Sequence, residues 1–202
     1  MSANASLGIV MYRIIFVGIS NSGRSSFVLR YTDDTFSEER ERFESDSTHE
    51  TQVGEQKIKL VLRDTNNSHC SPMREITSSY YRGSHAVVIC LDCTEKHSLS
   101  SLKDFREKIK KWSAPGTLSM VAITKIDDTK NRVLDLQDVS NEISPQDLEA
   151  DGKAPKIVEI SAKSGENVKA VMEEFVQRIH NHFNLEGVKE TAKSDDPKCN
   201  VC

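Results

Sequence analysis

The chain has 202 residues, a formal net charge of -4 and a sequence pI near 5.9. That length suits one domain plus a tail and can bury a full core, while the acidic balance argues against nucleic acid as a partner. The composition, 37% hydrophobic and 29% charged, is that of a soluble globular chain, with no apolar run approaching the roughly 20 residues of a spanning helix.

The first residues, MSANASLGIV, lack a basic segment followed by an apolar core, so no secretory signal is expected. Serine at position 2 excludes N-myristoylation. Residues 1–11 read as an N-terminal extension. Tyr12–Val17 is a strand, and a glycine-containing turn then opens onto a helix over Ser25–Tyr31. Asp33 to Gln52 is polar without a clear period and reads as a long loop with room for a short strand at its end. Lys57–Leu62 alternates Ile58, Leu60 and Leu62, as a strand with one exposed face should. A helix over Met73–Tyr81 precedes the nearly continuous apolar strand Ala86–Leu91; Leu99–Trp112 is helical, and Leu118–Thr124 is a second buried strand. Lys156–Ile160 is the last strand. The helix Asn167–Phe183 places Val168, Val171, Met172, Phe175, Val176 and Ile179 on one face. Residues 184–202 have little to bury and read as a flexible tail. Strands alternating with helices predict an α/β domain over residues 12–183, a mostly parallel central sheet covered on both faces. Its ligand should sit at the strand C-terminal ends.

Gly18-Ile19-Ser20-Asn21-Ser22-Gly23-Arg24-Ser25 stands at such an end. It fits the phosphate-loop template G-x-x-x-x-G-K-[S/T] except that arginine replaces lysine. In that template the backbone N–H groups of the turn, here Asn21 to Ser26, wrap phosphate oxygens, and the helix N-terminus adds its dipole. The Ser25 hydroxyl takes the Mg²⁺ position. Arg24 keeps the charge of lysine but is a longer planar fork, so the exchange is not conservative. Three more motifs follow at strand ends: Asp64-Thr65, Thr124-Lys125-Ile126-Asp127 and Ser161-Ala162-Lys163. Asp64 could hold Mg²⁺ through water.

With these four signals in order, and with the fragment ITSSYYRGSHAVVICLDCT (Ile76 to Thr94), the chain resembles the Ras-like small GTPases, and most closely the Rab family. The resemblance covers residues 12–183 and implies the P-loop GTPase fold, with GTP or GDP and Mg²⁺ as ligands. It implies that Asp127 accepts hydrogen bonds from the N1–H and N2–H₂ edge of guanine, an edge adenine lacks. Lys125 would lay its stem along the base, the Ala162 N–H would meet guanine O6, and Ser161 and Lys163 would brace the loop. Thr124 stands where Rab proteins usually carry asparagine, although the Rho branch uses T-K-x-D.

The departures lie on the γ-phosphate side. The family's D-T-A-G-Q-E is here Asp64-Thr65-Asn66-Asn67-Ser68-His69. Asn67 has less backbone freedom than the glycine it replaces, and Ser68 is too short to orient the attacking water as the usual glutamine does. Ser45, Ser47 and Thr48 are candidates for the first-switch hydroxyl. Expected on this reading are weakened hydrolysis, effectors meeting the switch loops, an exchange factor and a prenyl-binding chaperone. Cys199 and Cys202 fit a prenylation position, which would anchor the protein on the cytoplasmic face of intracellular membranes, with a cytosolic pool, for vesicle traffic. The alternative is a pseudo-GTPase, a binding module that presents a fixed surface without nucleotide cycling. A P-loop kinase or ATPase would have no use for TKID and SAK.

Other residues carry blander readings. Five cysteines (Cys70, Cys90, Cys93, Cys199, Cys202) are too few for a disulfide framework and point to a reducing compartment. Cys90 and Cys93 read as small core residues rather than half a zinc site. His180 and His182 are two apart and point to different helix faces. Asp33, Asp34, Glu38, Glu39 and Glu41 read as a solvated acidic loop, which in a Rab-like protein would be the effector-facing first switch.

Overall fold

The computed structural model describes residues 8–38, 46–65, 78–144 and 147–194, the last stretch as backbone alone from 185. Six strands form one sheet in the order β2-β3-β1-β4-β5-β6: β1 Val10–Val17, β2 Ser47–Val53, β3 Gln56–Asp64, β4 Ala86–Asp92, β5 Leu118–Thr124 and β6 Lys156–Glu159. Only β2 runs antiparallel, against β3; every other neighbouring pair is parallel. The helices are α1 Arg24–Asp33, α2 Ser78–Tyr81, α3 Lys96–Trp112, α4 Leu136–Glu142 and α5 Val168–Ser194.

The side-chain period of two divides the strands between two cores. Ile14 and Phe16 of β1, with Val88 and Cys90 of β4, pack with Phe27 of α1 and Phe175 and Ile179 of α5. Ile15 and Val17, with Ile89 and Leu91, pack with Tyr81 of α2, Leu102 and Phe105 of α3 and Val139 of α4. All seven residues of β4 and of β5 are buried, which is why these two strands read as continuous apolar runs. Burying one such side chain as completely as Phe16 is worth about 1.5–3 kcal/mol. The face expected on α5 is the one that packs: Val168, Met172, Phe175, Val176 and Ile179 are buried.

Three readings change. The polar stretch before Gln52 contains a full seven-residue strand, β2, whose ladder with β3 pairs Ser47 with Leu62 and Thr48 with Val61. Alternating polar side chains on an edge strand hide the strand period from an apolar count. The helix α4 was not expected; its start is written in Asp135, whose side chain accepts from the Gln137 and Asp138 amides, with Asp138 returning the bond in a capping box. The backbone of α5 stays helical to Ser194, through most of the stretch expected to be a flexible tail. Leu185, Glu186, Lys189, Glu190, Ala192 and Lys193 are all good helix formers, and Pro197 cannot continue a helix. Of the helix expected over Met73–Tyr81, only Ser78–Tyr81 falls within the described residues.

Candidate functional site

The C-terminal ends of β1, β5 and β6 open onto a cavity of about 500 Å³, within the range of small-molecule sites. Three loops at these strand ends line it, together with Phe36, Ser37 and Glu38 beyond α1. The first, after β1, contributes Asn21, Ser22, Gly23 and Arg24, and Ser25 and Ser26 follow on α1. The second, after β5, contributes Thr124, Lys125, Asp127 and Asp128; the third, after β6, contributes Ala162 and Lys163. Ser161 lies just behind, fully buried.

The phosphate-loop turn is set by backbone sterics. Gly18, Asn21 and Gly23 take φ values of 157°, 64° and 78°; glycine enters the left-handed region at no steric cost, and asparagine tolerates it. A Cβ on Gly18 would collide with Ser22 Oγ and the Cys90 carbonyl of β4. Gly23 is the N-cap of α1 and offers no side chain to its first amides. An uncapped helix start facing a cavity is suited to an anion.

Thr124 acts as a strut. Its hydroxyl, 1% exposed, lies 2.9 Å from the Ser22 carbonyl and 3.1 Å from that of Leu91, and it donates to these oxygens. It joins the end of β5 to the phosphate loop. Lys125 turns the chain at φ 62°, its ammonium reaching Asp92 Oδ2 at 2.5 Å, and Cys93 Sγ donates to its carbonyl at 3.2 Å. The Ser161 hydroxyl donates to Asp127 Oδ1 at 2.6 Å and accepts from the Ser164 amide at 3.0 Å, so the second and third loops are tied through one carboxylate.

Arg30 of α1 is the residue that sequence reading missed. Its Nε donates to the Ala162 carbonyl at 2.7 Å and Nη2 to that of Lys163 at 3.1 Å. Its Nη1 donates to the carbonyl of Asp34 at 2.8 Å and reaches its carboxylate at 3.1 Å. Lys163 in turn reaches Glu38 at 2.8 Å, and that contact holds the Glu38 carboxyl below the usual range. Asp34 and Glu38 are exposed, as expected of a solvated loop, and each also meets a cation.

Ser25 and Asp64 meet, the hydroxyl donating to Oδ2. A cationic group also stands on the same carboxylate. Arg24 Nε lies 3.4 Å from Asp64 Oδ1, while Nη1 donates to the carbonyls of Gly18 and, at 2.8 Å, Ile19. Arg24 and Asp64 are 7% and 4% exposed. Mg²⁺ needs near-octahedral oxygens at about 2.0–2.1 Å, and a guanidinium buried against the same carboxylate cannot give up its charge. As arranged, Ser25 and Asp64 do not fit a resident divalent cation.

Ser47 and Thr48 sit in β2 and do not line the cavity, so neither takes the first-switch position in this arrangement. Ser45, Asn67, Ser68, His69, Cys199 and Cys202 lie outside the described residues. Cys90 is fully buried, which pushes its thiol up to about 12, and burial raises Cys93 too, as inert core thiols should behave. His180 and His182 are both buried; His180 Nδ1 meets the Tyr12 hydroxyl at 3.0 Å and His182 packs on Phe183. No cluster of three or more metal-ligating side chains occurs among the described residues, and no helix among them is long and apolar enough to cross a membrane.

The family model of the Ras family matches residues 13–181, from β1 through most of α5. The chain is a Rab-like member of the Ras family. This Rab-like chain is 28% identical over 193 residues to the GTP-binding protein YPT1 of Saccharomyces cerevisiae, covering 95% of its own length and 89% of that protein. It is 30% identical over 175 residues to the Ras-related protein RabC of Dictyostelium discoideum, covering 84% of each chain. It is 30% identical over 174 residues to the Ras-related protein Rab-3 of Caenorhabditis elegans, covering 84% of this chain and 74% of that one.

Proposed function

We propose that this Rab-like protein binds GDP and GTP at the three-loop cavity and acts in vesicle traffic, with weakened hydrolysis. The observation that carries the nucleotide reading is the Ser161–Asp127 hydrogen bond at the cavity wall, on the same β5 end that Thr124 straps to the phosphate loop. A carboxylate held at one oxygen presents a fixed acceptor for the guanine N1–H and N2–H₂ edge. Adenine offers no matching donors and leaves the carboxylate unpaired. Ala162 supplies its amide to O6, Lys125 covers the base, and the amides from Asn21 to Ser26 take the phosphates.

Trafficking rests on the Rab and Ypt relatives, and membrane attachment on Cys199 and Cys202. Two prenyl chains anchor stably where one holds only marginally. Effectors, an exchange factor and a prenyl-binding chaperone are the partners such a protein would meet.

The pseudo-GTPase reading is favoured by one observation, the burial of Arg24 on Asp64 and the loop carbonyls. Both readings share guanine recognition, which one titration tests. A fluorescent GDP analogue bound to the full chain should be displaced by GDP and GTP at concentrations far below those needed of ADP or ATP. Asp127→Asn should weaken GDP and GTP together by about tenfold or more, the equivalent of at least 1.4 kcal/mol. Equal competition by ATP and GTP against the unmodified protein would reject the assignment.

A further inference from the structure

We infer that Arg24 takes the place of a divalent cation on Asp64, so that this protein binds its nucleotide without Mg²⁺. The inference rests on the nucleotide reading above. Its starting point is a direction: Arg24 is the first residue of α1, yet its side chain folds back beneath the loop. Among the described residues, three acceptors receive the guanidinium: the carbonyls of Gly18 and Ile19 and the carboxylate of Asp64. The fork geometry of arginine allows this; the compact ammonium of lysine could not span the same set.

The guanidinium cannot move aside cheaply. Its acceptors belong to the phosphate loop itself and to the end of β3, so moving it away breaks contacts in both. Withdrawing the guanidinium would remove a donor from two loop carbonyl oxygens and the cation from a buried carboxylate, and buried polar groups that lose partners are costly. Deprotonation offers no escape, because arginine stays charged in proteins. A divalent ion on Asp64 would therefore share one buried carboxylate with a permanent positive charge. Among the described residues, Arg24 is the cation that meets Asp64. Ser25 spends its hydroxyl proton on Oδ2 of that same carboxylate. The negative charge of a bound diphosphate is then met by the loop amides and the start of α1, neither of which requires a metal.

The test is the dissociation rate and affinity of a fluorescent GDP analogue on the full-length protein, measured in millimolar Mg²⁺ and in excess chelator. Metal–nucleotide coupling is reciprocal, and a working coupled site gives about 5–150-fold. The unmodified protein is expected to change by no more than about twofold, and Arg24→Lys to acquire a dependence inside the coupled range. By the same reciprocity, Mn²⁺ titrated by electron paramagnetic resonance should bind protein-held GDP no more tightly than free GDP. That measurement needs no variant, so a misfolded Arg24→Lys leaves the inference falsifiable.

Dissociation accelerated more than about tenfold by chelator in the unmodified protein would overturn the inference while leaving guanine binding intact. So would Mn²⁺ held tightly by the GDP complex, or an Arg24→Lys protein as indifferent to chelator as its parent. Absence of nucleotide binding in both buffers would instead overturn the nucleotide reading, and this inference with it.

Discussion

Replacing Arg30 with alanine removes the only element of α1 that reaches across to the third loop among the described hydrogen bonds. The Ala162 carbonyl loses a partly buried, charge-assisted bond of 2.7 Å, and that of Lys163 an exposed one of 3.1 Å that water can replace. A hydrogen bond to a charged group contributes about 1.5–3 kcal/mol when its partner is left without substitute. Counting the buried bond in full and the exposed one little, the third loop loses on the order of 2 kcal/mol of positioning. If that loop must be ordered again when the base binds, GDP affinity should fall by about tenfold or somewhat more. The assay is titration and stopped-flow dissociation of a fluorescent GDP analogue, with a melting curve alongside to separate loss of site from loss of fold. Arg30→Lys should recover part of the loss, because an ammonium can reach one carbonyl but not both. Asp34→Asn is the control: it removes the exposed i,i+4 ion pair with Arg30 while keeping a residue that tolerates φ 52°. Exposed pairs of this kind are worth well under about 1 kcal/mol, so the control should bind GDP normally. An Arg30→Ala protein binding GDP within about twofold of the parent would refute the reasoning.

Two other expectations follow from the same geometry. Glu149 is buried against Ser119, whose amide donates to it at 2.7 Å, and faces Arg178 at 3.0 Å; desolvation prevails over these partners and pushes its carboxyl up from 4.5 to about 7. The folded state then holds a proton that the unfolded state has released, so the contribution of this carboxyl to stability is greatest at low pH and is lost as pH rises through about 7. Denaturant unfolding between pH 5 and pH 8 should show a loss on the order of 3 kcal/mol in the parent. Glu149→Gln should flatten that slope, and an equal slope in both proteins would place its origin elsewhere. Intrinsic GTP hydrolysis, read as single-turnover phosphate release, should be slow, since positioning and charge stabilisation supply the catalysis. A rise in Asn67→Gly combined with Ser68→Gln, absent from either alone, would support this; a rate typical of small GTPases in the unmodified chain would contradict it.

What could be read from the sequence was whatever is written locally. Strand β5 is legible from Leu118 to Thr124, because a run in which all seven residues are buried is dominated by apolar side chains. The three loops of the site came from the same source: each motif closes an apolar run, and strand ends in a parallel sheet converge. Strand β2 was obscured because its seven residues alternate polar with polar, and its register comes from β3 rather than from its own composition. Arg30 was illegible for a different reason. Its partners are 132 and 133 residues away, and an arginine in the last turn of a helix looks like any solvated charge. Arg24 was legible as a substitution but not as a direction. The carbonyls of Gly18 and Ile19 and the carboxylate of Asp64 hold its side chain under the loop rather than out toward a ligand.

The division of the site into two ends bears on whether such a protein can switch at all. A ligand moves a conformational equilibrium only by its differential affinity for the two states; equal affinity shifts nothing, however tight the binding. The Asp127–Ser161 bond, the Arg30 brace and the Thr124 strut all serve the base or the loop common to GDP and GTP. None of them can tell one nucleotide from the other. Discrimination must come from the γ-phosphate side, where Arg24 and the run Asn66, Asn67, Ser68 and His69 depart from the family pattern. On our proposal, binding energy is concentrated where it is uniform and thinned where it would be differential. GDP and GTP should then bind with similar affinity, and the response to exchange should be small. A Rab-like protein built this way would report its presence on a membrane more than the state of its nucleotide.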